Sequence, residues 1–179
     1  RGTEPDKLAP RLGEELLGGD DPFESFATFG VHQRNRAHVR YLLARMTAWV
    51  EQRHGLPHNF ATYAVPVRYE VEHILANRPE LRPELTVRRF TELRDRFGAL
   101  LLLDREVVAG QADMSYLRKL EHYKTGNVLA RSLHASGYDE NPALGALVDT
   151  YGLPFAPVRL DFDEAAIERR QELYRRLFE

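Results

Sequence analysis

Two short segments constrain this chain more than anything else in it. Val67, Tyr69, Val71, His73 and Leu75 alternate with Arg68, Glu70 and Glu72. A period of two marks a strand with one buried face, here over 67–75. Further on, Gly98 to Leu103 is an unbroken apolar run, which reads as a second strand buried on both faces. Two strands cannot cover their own faces, so helices must do it. Val39, Leu42, Leu43, Met46 and Val50 form one apolar stripe in a helix from about Asn35 to His54, stopped by Gly55 and Pro57. Pro79 and Pro83 enforce an irregular loop after the first strand, and a short helix follows over 86–94. After the second strand a loop runs to Asp113, which is placed to cap a helix that starts at Met114 and carries Leu117, Leu120 and Tyr123. A further helical piece ends near His134. The stretch 135–160 is rich in Gly and Pro and reads as loop, and a last helix starts near Asp163. The expected class is α+β, a mainly helical domain enclosing a strand–strand–helix unit.

A length of 179 residues suits one domain. Residues 1–33 read as a lead-in or linker from an upstream domain, of which Phe23, Phe26 and Phe29 would dock part on the core. Residues 34–179 would be the domain proper. The sequence begins with Arg, not Met, which fits a piece of a longer protein. No apolar run approaches the roughly 20 residues a membrane helix needs, so no membrane partner is expected. The absence of cysteine excludes disulfides, thiolate–zinc sites and a thiol nucleophile, and suits the cytoplasm. A net charge of −2 excludes a surface that is basic throughout, though not a local basic strip.

The chemistry concentrates at Glu72-His73, where a strand runs into a Pro-containing loop. A carboxylate can hold a hard divalent cation, and an imidazole with a pKa near neutrality can take a proton from an attacking water. Together they suit metal-assisted cleavage of a phosphodiester. Neighbours on a regular strand point to opposite faces, so both serve one site only if the strand is distorted or a second wall closes over it. Arg94, Arg118 and Lys119 are placed to contact phosphates. His54 and His58 have the spacing of metal ligands, but Gly55 and Pro57 break the helix that would align them, so no zinc site is expected there.

Val71-Glu72-His73-Ile74 is followed by Arg94-Asp95-Arg96-Phe97-Gly98, the Leu-rich strand, then Tyr116, Lys119, Tyr123 and Asn127. Asn141-Pro142, Gly152-Leu153-Pro154-Phe155 and Arg170-Gln171-Glu172-Leu173-Tyr174 come later. In this order the residues resemble the C-terminal HNH-type nuclease domain of GmrSD-like and SspE-like phage-defence proteins, over about residues 34–179. The resemblance implies a ββα-metal unit at about 67–124. It implies His73 as general base, Glu72 and Asp95 at the reacting centre, and a divalent cation, Mg²⁺ or Mn²⁺. It also implies supporting places for Asn77, His122 and Asn127. The family has Asn where this chain has Asp95 and where it has Val108. Val cannot hold a metal, so a nearby oxygen would have to replace it, Asp113 first and Asp104 next, with Glu106 and Gln111 also close.

The function implied is a metal-dependent DNA endonuclease, nicking one strand at a time, within a bacterial anti-phage restriction protein. Its partners would be phage or modified DNA and an upstream sensor domain. The alternative is a catalytically degenerate DNA-binding or regulatory domain of the same kind of protein, which the loss of the Asn at Val108 favours.

Overall fold

The computed structural model describes residues 26–56, 60–65, 67–139 and 142–178. Its sheet has two strands. β1 (Tyr69–His73) pairs antiparallel with β2 (Leu100–Asp104), with Tyr69 opposite Asp104 and His73 opposite Leu100. β1 is shorter than the alternation predicts. Val67 is exposed before it, while Ile74 and Leu75 are buried just beyond it, where Ile74 N still donates to Ala99 O at 2.9 Å. Leu100 to Leu103 are all buried, as an unbroken apolar run requires. Helices supply the cover. α1 (Arg36–Arg53) packs along β2 through its apolar stripe and also against α2 (Phe60–Ala64). Gly55, at φ +82°, takes the left-handed turn that follows α1.

α3 (Val87–Asp95) is capped by Thr86, whose hydroxyl accepts from Arg89 N. A 3₁₀ turn, Phe97–Ala99, then leads into β2. The stretch after β2, expected as loop, begins with one helical turn, α4 (Arg105–Val108), because Asp104 caps it by accepting from Glu106 N at 3.0 Å. α5 (Tyr116–Tyr123) starts two residues later than expected. Asp113 is not its cap: Met114 N donates to Gln111 O, closing a turn that leaves Asp113 outside the helix. Asn127 caps α6 (Val128–Arg131) by accepting from Ala130 N, and its amide donates to Leu102 O.

The expected loop at 135–160 contains two helices, α7 (Ser136–Asp139) and α8 (Pro142–Tyr151). Pro142 opens α8, where its missing N–H costs nothing, and Leu144 and Leu147 bury one face. Pro142 thus marks a helix start, not a break.

α9 (Glu164–Arg176) is capped by Asp163, which accepts from Ala166 N at 2.8 Å. It buries two polar residues and satisfies both. Arg170 donates to Leu129 O and the Tyr174 hydroxyl, and the Gln171 amide donates to Phe26 O and Phe29 O while its oxygen accepts from Gly98 N. Phe26 and Phe29 thereby dock on Phe97, as expected; Phe23 lies outside the described residues. Among the described residues no helix is long and apolar enough to cross a membrane.

Gly98 is where α9 meets the sheet. A Cβ there would stand 2.5 Å from Ile167 O and 2.6 Å from Gln171 N, both helix backbone that cannot swing aside. The expected cost of Gly98→Ala is about 1–3 kcal/mol, the range for overpacking a core. Chemical denaturation of the variant checks it, and an unchanged midpoint would mean that α9 is not packed as described.

Candidate active site

His73 closes β1, and its ring turns toward the C-terminal end of α3. Nε2 lies 3.0 Å from Asp95 Oδ1, with the two side chains 17% and 34% exposed. A carboxylate only accepts, so Nε2 carries the proton and Nδ1 keeps its lone pair. Nδ1 has no hydrogen-bond partner among the described residues. Burial pushes the His73 pKa down to about 3, with the charges of Arg94, Lys119 and Arg36 adding to it. The imidazole is therefore neutral at physiological pH, well below the ordinary value assumed from sequence. Burial raises Asp95 while Arg94 opposes that. Arg94 precedes Asp95 on α3. Its Nη1 is 3.9 Å from Asp95 Oδ1, and its Nε is buried with no hydrogen-bond partner.

Glu72 serves the opposite side of β1, as strand alternation demands. It is 4% exposed, and its Oε1 accepts from Lys119 Nζ at 2.6 Å. Lys119 reaches up from α5, is wholly buried, and donates a second bond to the His73 carbonyl at 2.6 Å. Burial pushes Glu72 up and Lys119 down, and each opposes the shift of the other. With two close acceptors around one ammonium, the charged pair is the form the geometry satisfies. Tyr123, also on α5, is buried, and its hydroxyl has no partner among the described residues.

This arrangement brings some of the expected residues together and disperses others. His73, Asp95 and Arg94 meet. Lys119 is no phosphate contact, because none of it reaches solvent; it sits beneath the strand end and ties it to α5. Asp104 pairs in register with Tyr69, four residues along the ladder from His73 or roughly 13 Å at strand spacing, and holds Arg68 and the start of α4. Asp113 is exposed in the turn before α5; its charge acts on Arg94 and Lys119, and Asn77 N donates to Ala112 O beside it. Arg118 and His122 lie exposed on α5. Asn77 is exposed, whereas Asn127 is spent on Leu102 and α6. Val108 packs against the core. Glu72, Asp104 and Asp113 thus do not converge, and no group of three potential metal-ligating side chains exists among the described residues. His54 is half-buried, and His58 lies outside the described residues.

Sequence reading missed Arg36, in the first turn of α1. Asn35 beside it donates to Gly30 O, Gly30 bridges Arg96, and Val31 N donates to Asp95 O at 2.7 Å. This relay sets the start of α1 against the His73–Asp95 pair. Nothing local in the sequence signals it.

A two-stranded sheet among helices, with a buried ion pair on one face and a His–Asp pair on the other, suits an enzyme of the nuclease kind. The family model described as GmrSD restriction endonucleases, C-terminal domain, matches residues 20–177, and the chain belongs to that family. Its function is accordingly related to that of a restriction endonuclease, with DNA as the substrate class the family suggests. No curated protein and no solved structure matches it.

Lys119→Met should leave the Glu72 carboxylate buried and unpaired, at a cost of about 3–5 kcal/mol. Adding Glu72→Leu should recover most of that loss, since replacing both members of a buried pair by apolar groups is far milder. Urea unfolding of the single and double variants decides it. A Lys119→Met variant of normal stability but weakened DNA binding would return Lys119 to the surface.

Proposed function

We propose that this chain hydrolyses DNA phosphodiester bonds, that His73 is the general base, and that β1, β2 and α5 act as a ββα unit of the HNH type. The observation that carries the reading is the His73–Asp95 contact at the strand end. It orients a neutral imidazole with Nδ1 unengaged. In the reaction a water oxygen attacks phosphorus, its proton passes to Nδ1, and the bond from phosphorus to the leaving sugar oxygen breaks. That oxygen takes a proton from solvent, and the Asp95 carboxylate steadies the imidazolium formed. One such site cuts one strand at a time, so a nick is the simplest product.

The resemblance implies Mg²⁺ or Mn²⁺. Glu72 is bound to Lys119, Asp104 is at the far end of the sheet, and Asp113 is exposed with its charge acting on Lys119 and Arg94, and the three form no joint cation site among the described residues. In the whole protein we place the chain downstream of a domain that senses modified DNA, with restriction of phage DNA as the outcome. A second reading, a degenerate domain that binds DNA or regulates its partner without cutting, is favoured by that same dispersal of carboxylates and by Val108 packing into the core.

Supercoiled plasmid incubated with the chain in Mg²⁺, Mn²⁺ or chelator separates the two. Nicking supports hydrolysis; binding without nicking in any cation supports the second reading. His73→Ala should lower the nicking rate by roughly 10²–10⁴-fold with little change in DNA binding. Because the free imidazole is already deprotonated, kcat/KM should be flat with respect to His73 between about pH 6 and 9. A His73→Ala variant that melts like the parent and still nicks at its rate would remove the base from the mechanism.

A further inference from the structure

We propose that Arg94 and Arg36 together form a seat for one backbone phosphate of nucleic acid, on the His73 side of the strand end. The proposal rests on the hydrolytic reading above and names the groups that would hold the scissile phosphate.

Arg94 is the first observation. It lies on α3 directly before Asp95, and its side chain is 19% exposed. A guanidinium offers five donors and accepts nothing. Here Nε is buried without a partner, and among the described residues the only ion-pair contact is the 3.9 Å approach to Asp95, beyond hydrogen-bond reach. Asp95 is itself engaged by His73, and Glu72 by Lys119. A half-buried guanidinium with idle donors is costly unless an anion completes it, and phosphate oxygens match its fork.

Arg36 is the second. The relay from Asn35 to Gly30 to Asp95 and Arg96 fixes the first turn of α1 at this place. The relay is tight: a Cβ on Gly30 would collide with the Asp95 carbonyl oxygen. Arg36 is exposed, and no carboxylate pairs with it among the described residues. The charges of both arginines thus reach the one imidazole, whose hydrogen-bond partner is Asp95.

The charges that face His73 are Asp95 and Arg94 from α3, Lys119 from α5 and Arg36 from α1. Three of the four are positive, and burial first, then these charges, hold the His73 pKa down. A phosphate seated on Arg36 and Arg94 would offset two of them. Its negative charge favours the imidazolium, so the part of the shift that these two charges cause is lifted while the part due to burial remains. Binding and proton acceptance are then linked through the same two side chains.

The test follows the His73 imidazole by NMR in the full chain, assigned through His73→Gln. One arm titrates inorganic phosphate and the other a short DNA duplex. The proposal expects saturable His73 shifts in both arms and an imidazole pKa that rises on saturation. Arg36→Gln, exposed and harmless to the fold, should weaken both titrations about tenfold, the loss of one charged contact. Arg94→Gln should do the same, with its melting temperature measured alongside. Absence of a saturable shift, or shifts that survive Arg36→Gln undiminished, overturns the proposal. Shifts with inorganic phosphate but none with duplex overturn the assignment to nucleic acid. Nicking is scored separately: if the chain never nicks, the hydrolytic reading falls while the titrations still decide the seat.

Discussion

The buried bond from Lys119 to Glu72 and to the His73 carbonyl is the interaction on which the rest depends. A two-stranded sheet is marginal by itself. What keeps this hairpin in place at its functional end is a side chain from α5 that grips one carboxylate and one backbone oxygen of β1 at once. The grip settles the conflict that strand alternation creates. Glu72 and His73 cannot face one site, so the protein uses the carboxylate for anchoring and leaves the imidazole for the other side. The cost is a desolvated pair that is only tolerable because both charges are closely matched.

The other side is organised by backbone, not by ion pairs. Gly30 lies flat on the Asp95 carbonyl, Val31 donates to it, and Phe97 N donates to Phe29 O. Gln171 of α9 then clasps the same segment and Gly98 together. Asp95 is thus held between the stretch that enters the domain and the helix that ends it.

Much of this was legible in the sequence, and what was legible was local. The apolar stripe of α1, the buried run of β2 and the cap of α9 depend on neighbours within one or two turns. The Glu72-His73 pair stood out as chemistry for the same reason. The rest required knowing which distant segments meet. Lys119 reads as an exposed helix charge until β1 is laid beneath it. Asp113 reads as a cap until Ser115 is seen to precede the helix. Asp104 is close to Val108 in sequence, but the antiparallel register carries it to the wrong end of the hairpin. In α8 the local signal was present and outweighed: Asn141-Pro142 and Gly152 suggested a loop, whereas the burial of Leu144 and Leu147 decided for a helix.

The electrostatic state of His73 shows why residue type alone does not fix chemistry. An imidazole in water sits near neutrality, poised between acid and base. Burial and three neighbouring cations remove that poise and leave a ring that is neutral at physiological pH. A base of that kind is available at every physiological pH but accepts a proton weakly, since catalytic efficiency favours a pKa near the working pH. The two properties are compatible if the missing basicity arrives with the substrate. The cations that suppress protonation are of the sign that attracts a phosphodiester, and Arg94 has donors to spare for one. Neutralising that charge removes part of what disfavours the imidazolium, while burial, the larger cause, stays in place. With the proposed phosphate seat filled, the imidazole would regain the basicity that Arg36 and Arg94 withhold, and burial would still keep it neutral at rest.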